Sequence, residues 1–319
     1  MNKPLLSVCM ITYNHEQYIT QAIESILQQS IDFEFEFVIA NDASSDNTDL
    51  HITKLISDNP KINFKYYNHS VNKGMIDNFI FALSACTGKY IALCEGDDYW
   101  TDTLKLKKQI KFLESNPEYE MCFTNIKVVN SLGQQIKEKL IVNPKKYSFS
   151  HKDMTVWAPT LTRVFKNRDF SVIHKPSPGM DTLMLVYQST LGDIKFLDEI
   201  TGAYRIHDTG VFSMIEISRK YEHKIKTSIA CLSFVHSNYK KKYVGEILKN
   251  LLELKAIDKD LYKNTCKFFM NEIELLKDMP KIKFYNFWLG YYLIKFPLLY
   301  KSSATIKFKK KIINHLLIY

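Results

Sequence analysis

The chain has 319 residues, 46% hydrophobic and 24% charged; this excludes a disordered, fibrous or disulfide-scaffold protein and leaves room for one large domain plus an appendage. The formal net charge of +9 would suit nucleic acid or an anionic membrane, but eight lysines and no Asp or Glu fall in residues 281–319. The first 280 residues are therefore close to neutral, and no nucleic-acid partner is expected.

The N-terminal third alternates two periods. LLSVCMIT (5–12) predicts a buried strand, and YITQAIESILQQS (18–30) sets Ile19, Ala22, Ile23, Ile26 and Leu27 on one helical face. FEFEFVIA (33–40) predicts a second strand, followed by a helix through about residue 57. NFKYYNH (63–69) reads as a third strand, MIDNFIFALSAC (75–86) as a helix closed by Gly88, and YIALCE (90–95) as a fourth strand. Such alternation with short connections builds a parallel sheet with right-handed crossovers. A basic helix over about 103–115, a strand at 121–130, a hairpin at Ser131-Leu132-Gly133, a helix at 180–191 and a strand near 196–206 follow. From about residue 214 the pattern is mainly helical. The six cysteines lack C-x-x-C spacing and sit mostly in apolar runs, which predicts reduced, buried thiols. The opening MNKPLLSVCMIT lacks a secretory pattern, so a cytoplasmic location is expected.

In sheets of this kind ligands bind beyond the carboxyl ends of the strands. Those ends carry Thr12-Tyr13-Asn14, Asn41-Asp42, Asn72-Lys73-Gly74 and Glu95-Gly96-Asp97-Asp98. Turn chemistry accounts for each cluster singly, since Asn, Asp and Gly are the usual turn formers. It does not account for three acids in LCEGDDYW (93–100), where like charges repel unless water or a cation solvates them. Clustered carboxylates suit magnesium or manganese, with phosphate oxygens completing the coordination. Neither G-x-x-x-x-G-K-[ST] nor G-x-G-x-x-G occurs, so a nucleotide would be held by carboxylate-bound metal and by contacts to its base.

Taken in order, SVCMITYNHEQYITQAIESILQQS, EFVIANDASSDNT, NKG and GKYIALCEGDDYWTDTLKLKKQ resemble the nucleotide-sugar-binding half of family 2 glycosyltransferases, which have the GT-A fold. The likeness is strong over about residues 5–130, and GMDTLMLVYQSTLGDIKFLDEITGAYRIHDTGVFS (179–213) resembles the acceptor-side segment of bacterial surface-polysaccharide members. It implies a GT-A domain over 1–213, with a donor half (1–130) and an acceptor half (131–213), and a mainly helical region over 214–319 that ends in a basic aromatic tail.

The resemblance also implies roles. Thr12 and Tyr13 border the nucleobase and Asp42 accepts a uracil imide N–H, while Asn14 and the Asn72-Lys73-Gly74 turn complete the donor pocket. Asp98 coordinates Mn2+ or Mg2+, Asp97 lies near the ribose or sugar, Glu95 stands at the outer position with its role open, and Tyr99 and Trp100 wall the site. Asp181 is the base that deprotonates the acceptor hydroxyl in a single displacement with inversion. Arg205 and His207, from Tyr204-Arg205-Ile206-His207, lie near the diphosphate or metal. The acceptor is a surface glycan, lipid-linked. Apart from the resemblance, residues 131–180 are expected to set acceptor choice, with Trp157, Thr160 and Arg163 as wall positions.

Two other classes stay open on sequence alone: a sugar nucleotidyltransferase, and a non-catalytic membrane-associated assembly protein that keeps a nucleotide pocket. The stretch KIKFYNFWLGYYLIKFPLLY is interrupted by Lys295 and Pro297, so it is too short to span a bilayer. It is expected to pack on the core or to attach the enzyme peripherally to the anionic cytoplasmic face of the inner membrane.

Overall fold

The computed structural model describes residues 3–153, 157–173, 177–208, 210 and 215–272. Strand β1 (Leu6–Thr12) is buried on both faces, as its mainly apolar sequence requires of a strand inside a parallel sheet. Helix α1 (Ile19–Leu27) buries Ile19, Ala22, Ile23 and Ile26, the i, i+3, i+4, i+7 stripe. There follow β2 (Phe35–Asn41), α2 (Thr48–Asp58), β3 (Asn63–Asn68), α3 (Met75–Ala85), β4 (Tyr90–Leu93), β5 (Tyr99–Trp100), α4 (Lys105–Ser115), β6 (Tyr119–Val129), β7 (Gln135–Lys137), β8 (Ser148–Phe149) and β9 (Val164–Lys166). The described chain ends with α5 (Met180–Ser189), β10 (Asp193–Arg205), α6 (Ile217–Cys231), α7 (Lys240–Ile257) and α8 (Lys259–Asn271).

The sheet runs β3-β2-β1-β4-β9-β6-β10-β5. β3, β2, β1 and β4 are mutually parallel, as are β6 and β10, whereas β9 and β5 run antiparallel to their neighbours. The register sets Thr12 opposite Asn41 and Asn41 opposite Asn68, so the loops after these strands leave from one rim. Two boundaries differ from the sequence reading. α3 ends at Ala85 because Cys86 turns extended, and Gly88 is no cap: its N–H donates to Ser7 Oγ at 2.8 Å. β4 stops at Leu93, which moves Glu95 from a strand onto the rim loop.

At the opposite end of the sheet the buried Glu36 carboxylate accepts Ser7 Oγ at 2.6 Å and the Thr87 N–H at 2.6 Å, and pairs with Lys65 at 2.7 Å. Burial alone would raise this carboxyl; the Lys65 ammonium and the Ser7 and Thr87 donors outweigh it and hold it low.

Among the described residues the chain divides into two units, one of residues 3–173 and 191–210, the other of residues 177–190 and 215–272. Helix α5 thus belongs with α6 to α8, whereas the sequence reading groups it with the acceptor half. In the second unit α7 buries Tyr243, Val244, Ile247, Leu248, Leu251 and Leu254, and Asp258 caps α8 by accepting the N–H groups of Asp260 and Leu261. Among the described residues all cysteines are free, five buried and Cys266 partly so. No helix among them is long and apolar enough to cross a membrane. The tail over 281–319 lies outside the described residues.

Candidate active site

The short strand β5 determines which distant residues meet. It pairs antiparallel with β10, Trp100 opposite Gly202 and Tyr99 opposite Ala203. One chain therefore runs back to Asp98 and Asp97 as the other runs on to Arg205 and His207. The Arg205 backbone N–H donates to Asp98 Oδ1 at 2.8 Å, and His207 Nε2 lies 3.1 Å from Asp97 Oδ2. His15, on the loop after β1, brings its Nε2 to 3.8 Å from the same oxygen. The ligand atoms of His15, Asp97 and His207 all lie within 4.8 Å of one another, a spacing that can hold a metal ion.

The two adjacent aspartates face different surroundings. Burial would raise the Asp97 carboxyl, but the His207 hydrogen bond and the neighbouring imidazoles of His15 and His207 prevail and hold it below its ordinary range. Asp98 is pushed well above that range, first by burial and then by the charges of Asp97 and Glu95, which the Arg205 N–H only partly offsets. The sequence reading gives the cation to Asp98; the geometry instead puts Asp97 with the imidazoles and turns Asp98 inward, 4% exposed. Burial also holds the His15 imidazole low, against the pull of Asp97.

Several expected donor residues turn out to support others. Thr12 is buried and its Oγ1 lies 3.1 Å from His15 Nδ1, so its hydroxyl braces an imidazole. Tyr13 is 45% exposed, its ring open to a ligand. Asn14, at φ 55, accepts the Ser45 N–H at 2.8 Å and donates its own to Ser44 Oγ, joining the loops after β1 and β2. The buried Asp42 carboxylate accepts the N–H of Lys73 at 2.7 Å and of Gly74 at 2.9 Å. Asn72 donates to the Asp42 carbonyl at 3.1 Å, and Gly74 holds φ 86, where a side chain would be strained. Asp42 therefore shapes the Asn72-Lys73-Gly74 turn, with both oxygens already engaged.

Arg205 is similarly committed. Its guanidinium donates to the Asp97 carbonyl at 3.0 Å, the Ser131 carbonyl at 3.2 Å and Gln21 Oε1 at 2.6 Å, and lies over the rings of Tyr18 and Tyr99. It fixes the acidic turn from behind. Trp100 is core, 4% exposed, its Nε1 donating to the Leu161 carbonyl at 2.7 Å and its face covered by Lys105 Nζ at 4.0 Å. Tyr99 is half-buried, and Glu95 is half-buried on the rim loop. Arg163 is buried against the Ala158 carbonyl, while Trp157 is exposed and Thr160 half-buried. Asp181 occupies the first turn of α5, in the second unit.

Sequence reasoning passed over His15, Tyr18 and Gln21. The available signal was a histidine three residues beyond the end of a rim strand, followed by an aromatic three residues on.

Residues 7–172 match Glycosyl transferase family 2. An uncharacterized protein of Mycobacterium tuberculosis is 32% identical over 76% of this chain and 72% of its own. The Escherichia coli enzyme WfgD, a UDP-Glc:alpha-D-GlcNAc-diphosphoundecaprenol beta-1,3-glucosyltransferase, is 26% identical over 54% of this chain and 75% of its own. Among solved structures, residues 1–349 of S. aureus TarS in complex with UDP-GlcNAc superpose with a TM-score of 0.64 at 20% identity, covering 84% of this chain and 81% of that one.

Proposed function

The chain belongs to glycosyl transferase family 2 and has the GT-A fold, and from that premise we propose that it moves a sugar from a UDP-sugar to a hydroxyl of a lipid-linked glycan, with inversion at the anomeric carbon. The observation that carries the reading is the Asp97–His207 pair, 3.1 Å apart on the rim loops. A carboxylate that stays charged beside imidazole nitrogen fits a divalent cation.

Asp97 and His207 would hold Mn2+ or Mg2+. When bound, the cation supplies positive charge against the departing diphosphate. Tyr13 offers its exposed ring to the base, and the turn shaped by Asp42 lines the donor pocket. Arg205 and Asp98 keep the acidic turn in place. Asp181, on the family resemblance, takes the proton of the acceptor hydroxyl as that oxygen bonds to the anomeric carbon and the bond from that carbon to the diphosphate breaks. WfgD, which acts on an undecaprenol-linked acceptor by its name, supports the lipid-linked class, and such an acceptor requires work at a membrane surface. The basic segment 281–319 is the proposed attachment.

The test is UDP release from a panel of UDP-sugars by the full chain, with a polyprenyl-diphosphate sugar as acceptor. Transfer that needs a divalent ion supports the reading; tight donor binding with no turnover on any acceptor supports the assembly-protein alternative.

A further inference from the structure

We infer that His15 is a third protein ligand of this cation site, and that its two imidazoles and one carboxylate select a first-row transition ion over magnesium. The inference rests on the cation reading above and adds a residue that the family resemblance does not assign.

The geometry supports it in three ways. For metal–ligand bonds of about 2.1 Å, donor atoms lie roughly 3.0 Å apart when adjacent and roughly 4.2 Å apart when opposite. The separations of 3.1 Å and 3.8 Å from Asp97 Oδ2 to the two imidazoles fall in that span. Secondly, the other ring nitrogen of His15 is occupied: Nδ1 meets Thr12 Oγ1 at 3.1 Å, the outer hydrogen bond that usually fixes a metal-binding histidine. The His15 backbone N–H is held by Thr48 Oγ1 at 2.8 Å, so the ring hangs from a fixed point. Thirdly, room for this brace is built into the acidic turn. A Cβ on Gly96 would lie 2.6 Å from Thr12 Oγ1 and 3.0 Å from His15 Nδ1; any side chain there would drive the brace apart.

The selectivity follows from ligand chemistry. Magnesium prefers oxygen donors in near-ideal octahedral geometry and sheds water reluctantly. Imidazole donors favour first-row transition ions, and two of the three protein donors here are imidazoles.

The test is Mn2+ bound to the full chain with UDP, observed by electron paramagnetic resonance with nitrogen-modulation detection. Wild-type protein should show two coordinated imidazole nitrogens, and Mg2+ should displace the ion only in more than about tenfold excess. His15→Gln should leave one nitrogen and weaken Mn2+ by about tenfold or more, and Thr12→Val should weaken it while keeping both nitrogens. One nitrogen in the wild type, or two in His15→Gln, overturns the His15 assignment and leaves the transferase reading standing. No bound Mn2+ in the wild type overturns the cation site itself. The wild-type spectrum decides the matter even where a variant fails to fold.

Discussion

Asp98 and Arg205 are joined through the Arg205 main chain: its N–H donates to Asp98 Oδ1 at 2.8 Å, while the guanidinium reaches past to the Asp97 carbonyl at 3.0 Å. An aspartate turned inward whose described side-chain partner is a backbone donor is replaceable by an amide that keeps the acceptor oxygen. Asp98→Asn should therefore retain turnover to within about tenfold and bind metal as the wild type does. Steady-state kinetics with Mn2+ titration measures this; loss of metal binding in that variant would return the cation to Asp98.

Asp42 would act on the proposed donor pocket through the turn it shapes. Asp42→Asn replaces one of the two acceptors facing the Lys73 and Gly74 N–H groups with a donor, and the turn should loosen. The expected result is a donor KM raised by about tenfold with kcat changed much less, since about 1.4 kcal/mol of binding is a factor of ten. A fall in kcat at constant KM would mean that Asp42 acts in the chemical step.

Asp181→Asn should lower transfer by about a hundredfold, the usual scale for a general base. UDP binding measured by calorimetry should stay unchanged. Equal loss of UDP binding would make Asp181 part of the donor site.

Lys105 gives a stability prediction with a definite pH window. Its amine is fully buried over Trp100, with no hydrogen-bond partner for Nζ among the described residues, and burial pushes it down to about 7. In the unfolded chain it titrates near about 10.4. Between these values the unfolded state binds more protons, so this group makes stability rise with pH; below about pH 7 its burial penalty is complete. Lys105→Met should add about 1–3 kcal/mol near pH 7, and the gain should shrink toward pH 10. Denaturant titrations at several pH values check this. A loss of stability at pH 7 would mean that the contact with the Trp100 ring outweighs the burial cost.

The parallel half of the sheet was readable because its strands and helices carry strong periods: β1 as an apolar run, α1 as a stripe of Ile19, Ala22, Ile23 and Ile26. The rim was readable too, since polar clusters end those strands. The different surroundings of Asp97 and Asp98 were not, because neighbours in a turn face different ways and sequence does not say which. That depends on β5 pairing with β10, a contact between residues about a hundred positions apart. The same pairing brings the Arg205 guanidinium to the Asp97 carbonyl and to Gln21. Thr12 was expected at the base on the family resemblance alone; its contact with His15 became visible only once the turn containing Gly96 was folded against both.

Asp97 is the proposed metal-bearing carboxylate of a glycosyl transfer. Its most direct test is donor turnover by wild type and Asp97→Asn, each with Mn2+ and after chelation. Wild type should turn over with Mn2+ and stop on chelation, and Asp97→Asn should fall by about a hundredfold or more even at saturating Mn2+. Turnover in Asp97→Asn near the wild-type rate, or wild-type turnover that survives chelation, would contradict it.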